Sequence, residues 1–381
     1  MAEYITLSSD GRTLVFAGNT GTTPDDVDRR HVVVVPVDRA EPRVLTPGTG
    51  LEWTPVVLGD LATVAYLGAT AQRPPLPMVK PLAGGTARVL AADRIPADFP
   101  SAQLVTPRAV TFTAEDGVVV HAQLFERAGR EARRPAIVYV HGGPPRQMLV
   151  GWHYSDYYAN AYAMNQYLAS RGFAVLAVNY RLGIGYGYEF HQAPGAGARG
   201  ASEYRDVKGA AMYLRSLPEV DASRIGIYGG SYGGFLTALA LGRNSDLFAA
   251  GVDVHGVHDF TSDGSGAGAA LGSATSGASR FEPTDREKAL EVAWQSSPVS
   301  SVGTWKSPVL FIHADDDRNV RFSQTVDLVR RMAARGLDYE ELVFVDDTHH
   351  WMRHSNQVKV DAAIAGYLEK KLMTGVARFS P

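Results

Sequence analysis

Two patterns of hydrophobic and polar positions divide the chain. Over the first hundred residues short apolar runs alternate with polar turns. The runs are Ile5-Thr6-Leu7, Leu14-Val15-Phe16-Ala17, His31-Val32-Val33-Val34-Val35 and Arg43-Val44-Leu45. The same order then returns as Leu51-Glu52-Trp53, Thr63-Val64-Ala65-Tyr66-Leu67, Leu76-Pro77-Met78-Val79 and Arg88-Val89-Leu90. Each run has strand length and is bounded by turn residues. Four short strands recurring at an interval of about 45 residues are the mark of propeller blades. The pattern predicts two blades over residues 1–95, the second made irregular by Pro74, Pro75, Pro77 and Pro81. A propeller closes with roughly four to eight blades, so this one is partial. Exposed sheet edges favour pairing with another chain, and either association into a homo-oligomer through the blade edges or instability of residues 1–95 is expected.

Beyond residue 95 the pattern changes. Segment 96–125 reads as a linker and the first strands of a second domain. There Ala109–Thr113 and Val118–Ala122 flank the hairpin turn Glu115-Asp116-Gly117. Arg127 to Arg134 is a polar connection. From 126 to 381, short continuous apolar runs alternate with helical spacing, as in an α/β domain. Ala136–Val140, Arg224–Tyr228, Pro308–His313 and Glu341–Val345 read as strands. Tyr158, Tyr162, Met164 and Leu168 recur at helical spacing, and Phe235–Leu241 is helix-like. Some aromatics between Trp152 and Tyr167 are candidates to line a cleft; packing on the sheet is the simpler reading. Ser262 to Ser279 is rich in Gly, Ser and Ala and reads as a surface loop.

The chemistry centres on Gly229-Gly230-Ser231-Tyr232-Gly233. A G-x-S-x-G between a strand and a helix is the nucleophile elbow of the α/β-hydrolase fold. The pentapeptide alone is also what a glycine-rich turn with a serine in it looks like, so its partners matter. In that fold an acid and then a histidine follow the serine along the chain. Strand Pro308–His313 opens into Ala314-Asp315-Asp316-Asp317, and strand Glu341–Val345 opens into Asp346-Asp347-Thr348-His349-His350. A serine hydroxyl is a weak nucleophile, so a histidine must take its proton while a carboxylate orients that histidine. The oxyanion then needs fixed donors. The backbone N–H of Tyr232 is one, and Gly142 and Gly143 of His141-Gly142-Gly143-Pro144-Pro145 supply the other.

These motifs together resemble the prolyl oligopeptidase family of serine peptidases, on its acylaminoacyl-peptidase and dipeptidyl-peptidase side. The likeness rests on His141-Gly142-Gly143-Pro144, Asn179-Tyr180-Arg181, Gly183-Ile184-Gly185-Tyr186-Gly187, Gly229–Gly234, Asp317-x-Asn319-Val320 and Asp346–His349, and it covers about residues 105–375. It implies Asp317 as the acid, rather than Asp315 or Asp316, and His349 as the base. Val345 stands where the family usually has Pro, and His350 is the alternative base. The resemblance also implies a small apolar pocket from Tyr232, Val257, Phe260 and Val320, and short or N-acylated peptides as substrates. In that family a complete propeller covers the active site. The chain therefore reads as the C-terminal portion of a longer enzyme, with a reduced cap as the other reading.

Composition narrows the field. The chain has 381 residues, 45% of them hydrophobic and 20% charged, with a net charge of −3. No basic run marks a nucleic-acid surface. With no cysteine, disulfides, a thiol nucleophile and thiolate metal sites are excluded. No stretch approaches a membrane span and no signal peptide is visible, so a cytoplasmic location is expected. Asp315–Asp317 and His349-His350, or His350 and His354 four apart, also suggest a metal site. The triad accounts for the same residues, and neither a metal nor another cofactor is expected. His313, His255 and His258 read as packing residues. The competing functions are a carboxylesterase on the same scaffold and a non-catalytic binding protein.

Overall fold

The two Arg-Val-Leu segments each end a four-stranded antiparallel sheet. The computed structural model describes residues 1–21, 23–127, 129, 133–262 and 283–373. Strands β1 (Ala2–Leu7), β2 (Thr13–Gly18), β3 (His31–Pro36) and β4 (Arg43–Val44) pair in chain order. So do β5 (Leu51–Val57), β6 (Thr63–Ala69), β7 (Leu76–Pro81) and β8 (Arg88–Val89). Pro55 is accommodated because β5 shifts register between Trp53 and Val56, and bulges are where strands tolerate proline. The sheets pack through Val15, Val32, Val34 and Leu45 against Val64 and Tyr66. Buried His31 of β3 ties them together, with Nδ1 3.0 Å from Glu52 and Nε2 3.3 Å from Asp26. Both sheets have the strand order of a blade, and two such sheets make no closed ring.

The remaining strands form one eight-stranded sheet in the order β16-β15-β14-β13-β11-β12-β10-β9. They are β9 (Arg108–Thr113), β10 (Val119–Phe125), β11 (Arg134–Val140), β12 (Ala174–Asn179), β13 (Val220–Gly230), β14 (Ala250–Val254), β15 (Val309–Ala314) and β16 (Tyr339–Phe344). β9 and β10 are the expected hairpin, and β10 runs antiparallel to β12. From β12 to β16 every pairing is parallel. β11, β12, β14 and β15 are buried at every position, which is why they read as continuous rather than alternating apolar runs.

Helices cover both faces. Val207, Leu214, Leu236 and Leu239, from helices Tyr204–Ser216 and Tyr232–Arg243, fill one side. Tyr158, Tyr162, Leu168, Val360, Ile364 and Leu368, from helices Asp156–Arg171 and His354–Leu372, fill the other. This is the α/β-hydrolase arrangement. After β11 the chain steps outward to β12 and then returns across β11 to place β13. Such a reversal opens a crevice at the carboxyl ends of the two central strands, where α/β sheets bind ligands. No helix among the described residues is long and apolar enough to cross a membrane.

The connection between β2 and β3 is bonded into the loops behind that crevice. Arg30 Nη1 donates to Gln147 Oε1 at 2.9 Å, and Gln147 Nε2 donates to Val27 O at 2.8 Å. Asn19 Nδ2 donates to Gly185 O at 2.9 Å. Asp28 accepts the Tyr186 hydroxyl and Gln147 Nε2. Burial pushes the Asp28 carboxyl up to about 6, against the Tyr186 and Gln147 hydrogen bonds, which pull it down. Between 3.8 and about 6 the folded chain holds a proton that the unfolded chain releases. Asp28 therefore favours folding at acid pH, and its contribution fades as pH rises through about 6. Asp28→Asn keeps an acceptor for Tyr186. It is expected to flatten the slope of stability over this range, removing up to roughly 3 kcal/mol of pH dependence. Urea unfolding at several pH values measures this, and an unchanged slope refutes it.

Candidate active site

β13 ends in Gly229-Gly230, and helix Tyr232–Arg243 starts two residues later. Ser231 makes the turn alone, at φ 58° and ψ −119°. A non-glycine residue held there costs on the order of 1–3 kcal/mol, a strain typical of functional sites. Ser231 N–H anchors the turn by donating to Val254 O of β14 at 2.9 Å. The glycines are required by proximity. A Cβ on Gly233 would run into the Val140 carbonyl oxygen, and one on Gly230 into the Tyr157 hydroxyl. The elbow thus lies at the carboxyl ends of both β11 and β13.

The loop after β11 lies against it. A Cβ on Gly142 would stand 3.2 Å from Ser231 Cβ and 2.9 Å from Gly230 O. The N–H groups of Gly142, Gly143 and Tyr232 have no acceptor among the described residues. Asn179-Tyr180-Arg181 holds this loop from behind. Asn179 Oδ1 accepts from Met148 N at 2.6 Å, and Tyr180 OH donates to His141 O at 2.8 Å. The His141 ring stacks on Tyr180, centroids 4.3 Å apart, and its Nδ1 lies 2.8 Å from Gly142 O. Burial pushes His141 down to about 4, so it stays neutral at pH 7. Arg181 bonds Asp206 through Nε and Nη2 and Asp116 through both terminal nitrogens, at 2.6–3.1 Å. It locks the end of β12 to a helix and to the β9–β10 turn.

Of the three consecutive aspartates, only Asp317 reaches a histidine. Asp315 Oδ1 accepts from Asp346 N, and Asp316 is exposed beside Arg318. Asp317 Oδ1 accepts the N–H groups of Asn319 and Val320 at 2.8 and 2.9 Å. Its Oδ2 lies 2.6 Å from His349 Nδ1 and 3.3 Å from His313 Nε2. Burial alone would raise this carboxyl, but His313 and His349 hold it well below the usual carboxylate range. A carboxylate only accepts hydrogen bonds, so His349 Nδ1 carries the proton and Nε2 is left as an acceptor. Neither His349 Nε2 nor the Ser231 hydroxyl has a hydrogen-bond partner among the described residues. His350 is exposed, with its ring edge against His349 and Tyr157. It precedes the helix that begins at His354, so the four-residue spacing does not put the two on one helix face.

One neighbour was legible in the sequence only as a packing residue. His255 follows β14 and is 1% exposed, and its ring lies 4.0 Å from that of His349. Its position at the carboxyl end of a parallel strand was the available signal. His255, Asp317 and His349 offer three ligating atoms within 4.8 Å of one another, compact enough for a cation. Asp317 and His349 already share a proton there, which a cation would have to displace.

Of the expected pocket residues, Tyr232, Val257 and Phe260 pack in one cluster, and Val320 lies beside Asp317. Tyr232 donates to buried Glu203 at 2.6 Å and stacks on Tyr180. Phe235 meets Tyr232 and Phe260 edge-on, at 5.1 and 5.0 Å. Val257 is half-buried on the same core, and Val320 is buried beside Asp317. A separate cavity of about 40 Å³ lies behind the elbow, lined by Tyr157, Gly230, Trp351 and Asp361 among others. The loop expected at 262–279 falls, beyond Ser262, outside the described residues.

The family model described as the prolyl oligopeptidase family matches residues 160–374. The chain belongs to the prolyl oligopeptidase family. It is 28% identical over 243 residues to dipeptidyl aminopeptidase BIII of Pseudoxanthomonas mexicana, covering 64% of this chain and 34% of that protein. It is 29% identical over 225 residues to the acylamino-acid-releasing enzyme of Arabidopsis thaliana, covering 56% and 27%. Among solved structures it shares the fold of Pyrococcus horikoshii acylaminoacyl peptidase, with a TM-score of 0.75 and 23% identity over 97% of this chain and 56% of that one. The chain spans about a third of the curated prolyl oligopeptidase relatives it matches, and about half of that structure.

Proposed function

We propose that this prolyl oligopeptidase family chain is a serine peptidase working through an acyl-enzyme. The supporting observation is the 2.6 Å Asp317–His349 pair beside a serine held at positive φ. In this reading His349 Nε2 removes the Ser231 proton as the hydroxyl oxygen attacks the substrate carbonyl. The N–H groups of Tyr232, Gly142 and Gly143 receive the oxyanion. His349 then protonates the leaving amine, and water repeats the sequence to free the acid. Catalytic hydrogen bonds are often long or poorly aligned until substrate arrives.

Short or N-acylated peptides are the proposed substrates, in keeping with the dipeptidyl and acylamino names of the relatives. Tyr232, Val257, Phe260 and Val320 are proposed to receive the side chain before the cleaved bond. Residues 126–381 form the catalytic domain in this reading, 96–125 the linker with the first strands, and 1–95 a two-bladed partial propeller.

A fluorophosphonate probe tests the centre. Wild type is expected to label, and Ser231→Ala is not. A folded wild type that stays unlabelled refutes the proposal. An acyl-amino-acid anilide, a dipeptidyl anilide and a p-nitrophenyl ester then separate the substrate classes. Turnover of the ester alone replaces the peptidase reading with a carboxylesterase.

A further inference from the structure

We infer that His255 is a positioning residue for His349, its buried ring fixing the plane of the catalytic imidazole. The inference rests on the triad reading. A single hydrogen bond to Asp317 is a hinge about which the His349 ring can swing, carrying Nε2 away from Ser231. The second constraint is a face contact. The two ring centroids lie 4.0 Å apart, with the planes tilted by 33°.

His255 is itself held on three sides. Its N–H donates to Ile312 O of β15 at 2.8 Å. Its Nε2 is 3.1 Å from the Tyr157 hydroxyl, and the Trp351 ring is 5.4 Å away. Its backbone is kept at φ 42°, a left-handed conformation uncommon outside glycine. The same His255–Tyr157 pair abuts the nucleophile's strand: a Cβ on Gly230 would lie 3.2 Å from His255 Nε2 and overlap the Tyr157 hydroxyl. One buried side chain therefore gauges the distance between the residue before Ser231 and the face of His349.

His255 has no proton-transfer partner in this arrangement. Nε2 shares a hydrogen bond with the Tyr157 hydroxyl, and Nδ1 is buried with no partner among the described residues. Leaving a buried ring nitrogen unpaired costs on the order of 1–3 kcal/mol. Burial, reinforced by His349 and His313, pushes His255 well below the usual histidine range, so the ring facing His349 is uncharged. His258, nearby in sequence, plays no such part. It is locked on Asp253 at 2.7 Å.

The test compares His255→Ala with His255→Phe, which restores a flat ring without the nitrogens. With the p-nitrophenyl ester, His255→Ala is expected to lower kcat on the order of 10- to 100-fold, as small misplacements of catalytic groups do, with KM changed less than about threefold. His255→Phe should recover most of kcat. The downfield proton resonance of His349 Nδ1–H, bonded to Asp317, provides a readout that needs no turnover. It should broaden by exchange with water in His255→Ala and stay sharp in His255→Phe. An unaltered kcat and resonance in folded His255→Ala overturn the inference. So does an equal loss in both variants, which would mark a merely structural residue. If neither variant folds, Tyr157→Phe decides: a lowered kcat at constant KM supports the inference, and an unaltered kcat overturns it. Failure of the triad reading shows differently, as His349→Ala turning over like wild type.

Discussion

His349→Ala is expected to lower kcat by about 10⁶-fold, the scale on which loss of the histidine collapses a serine peptidase centre. His350→Ala should stay within about threefold. The two residues are adjacent, yet only one faces the machinery. His349 is 5% exposed and meets Asp317 at 2.6 Å. His350 is exposed on the rim and meets its neighbours only by ring edges. Steady-state turnover of the ester measures both, with thermal unfolding to show that each variant is folded. An inactive His350→Ala beside an active His349→Ala would reverse the assignment.

Asp317→Asn is expected to lower kcat by about 10⁴-fold, for a reason visible in its surroundings. Oδ1 accepts two backbone N–H groups, so the amide oxygen of Asn must stay there. The amide NH2 is then forced toward His349 Nδ1 and His313 Nε2. His349 has to accept at Nδ1 and carry its proton on Nε2, facing Ser231. That tautomer cannot act as a base. Asp315→Asn, whose partner is the Asp346 N–H, should keep activity within about threefold. If Asp317→Asn remains active while Asp315→Asn is not, the wrong aspartate has been named.

What was legible in the sequence was mostly local. All eight short runs of the first hundred residues form strands, because alternation with turn residues leaves little else they can form. Helix Tyr232–Arg243 begins three residues before the apolar stretch that announced it. Tyr232-Gly233-Gly234 is poor helix-forming sequence, and the glycines are present because Val140 O and Asp253 approach them. Asp317 and His349, the proposed acid and base, were readable as candidates from their positions after strands, and they lie 2.6 Å apart. His255 was not, since its contact with His349 depends on how β14, β15 and the loop after β16 are set side by side. The same holds for Glu203 beneath Tyr232 and for Arg181 between two aspartates. Such partners lie tens of residues apart, and no period or spacing reports them.

The bonds from Arg30, Asn19 and Asp28 to Gln147, Gly185 and Tyr186 bear on how this molecule can be cut. A boundary at residue 95 is a boundary in sequence alone. A shortened chain starting there would strip Gln147 of its acceptors between β2 and β3 and uncover Leu149 and Trp152, which pack on Trp53 and Leu51. The loop carrying Gly142 and Gly143 would lose its footing beside Ser231. The amino-terminal sheets are the masonry under the loop that carries Gly142 and Gly143, whatever else they cover.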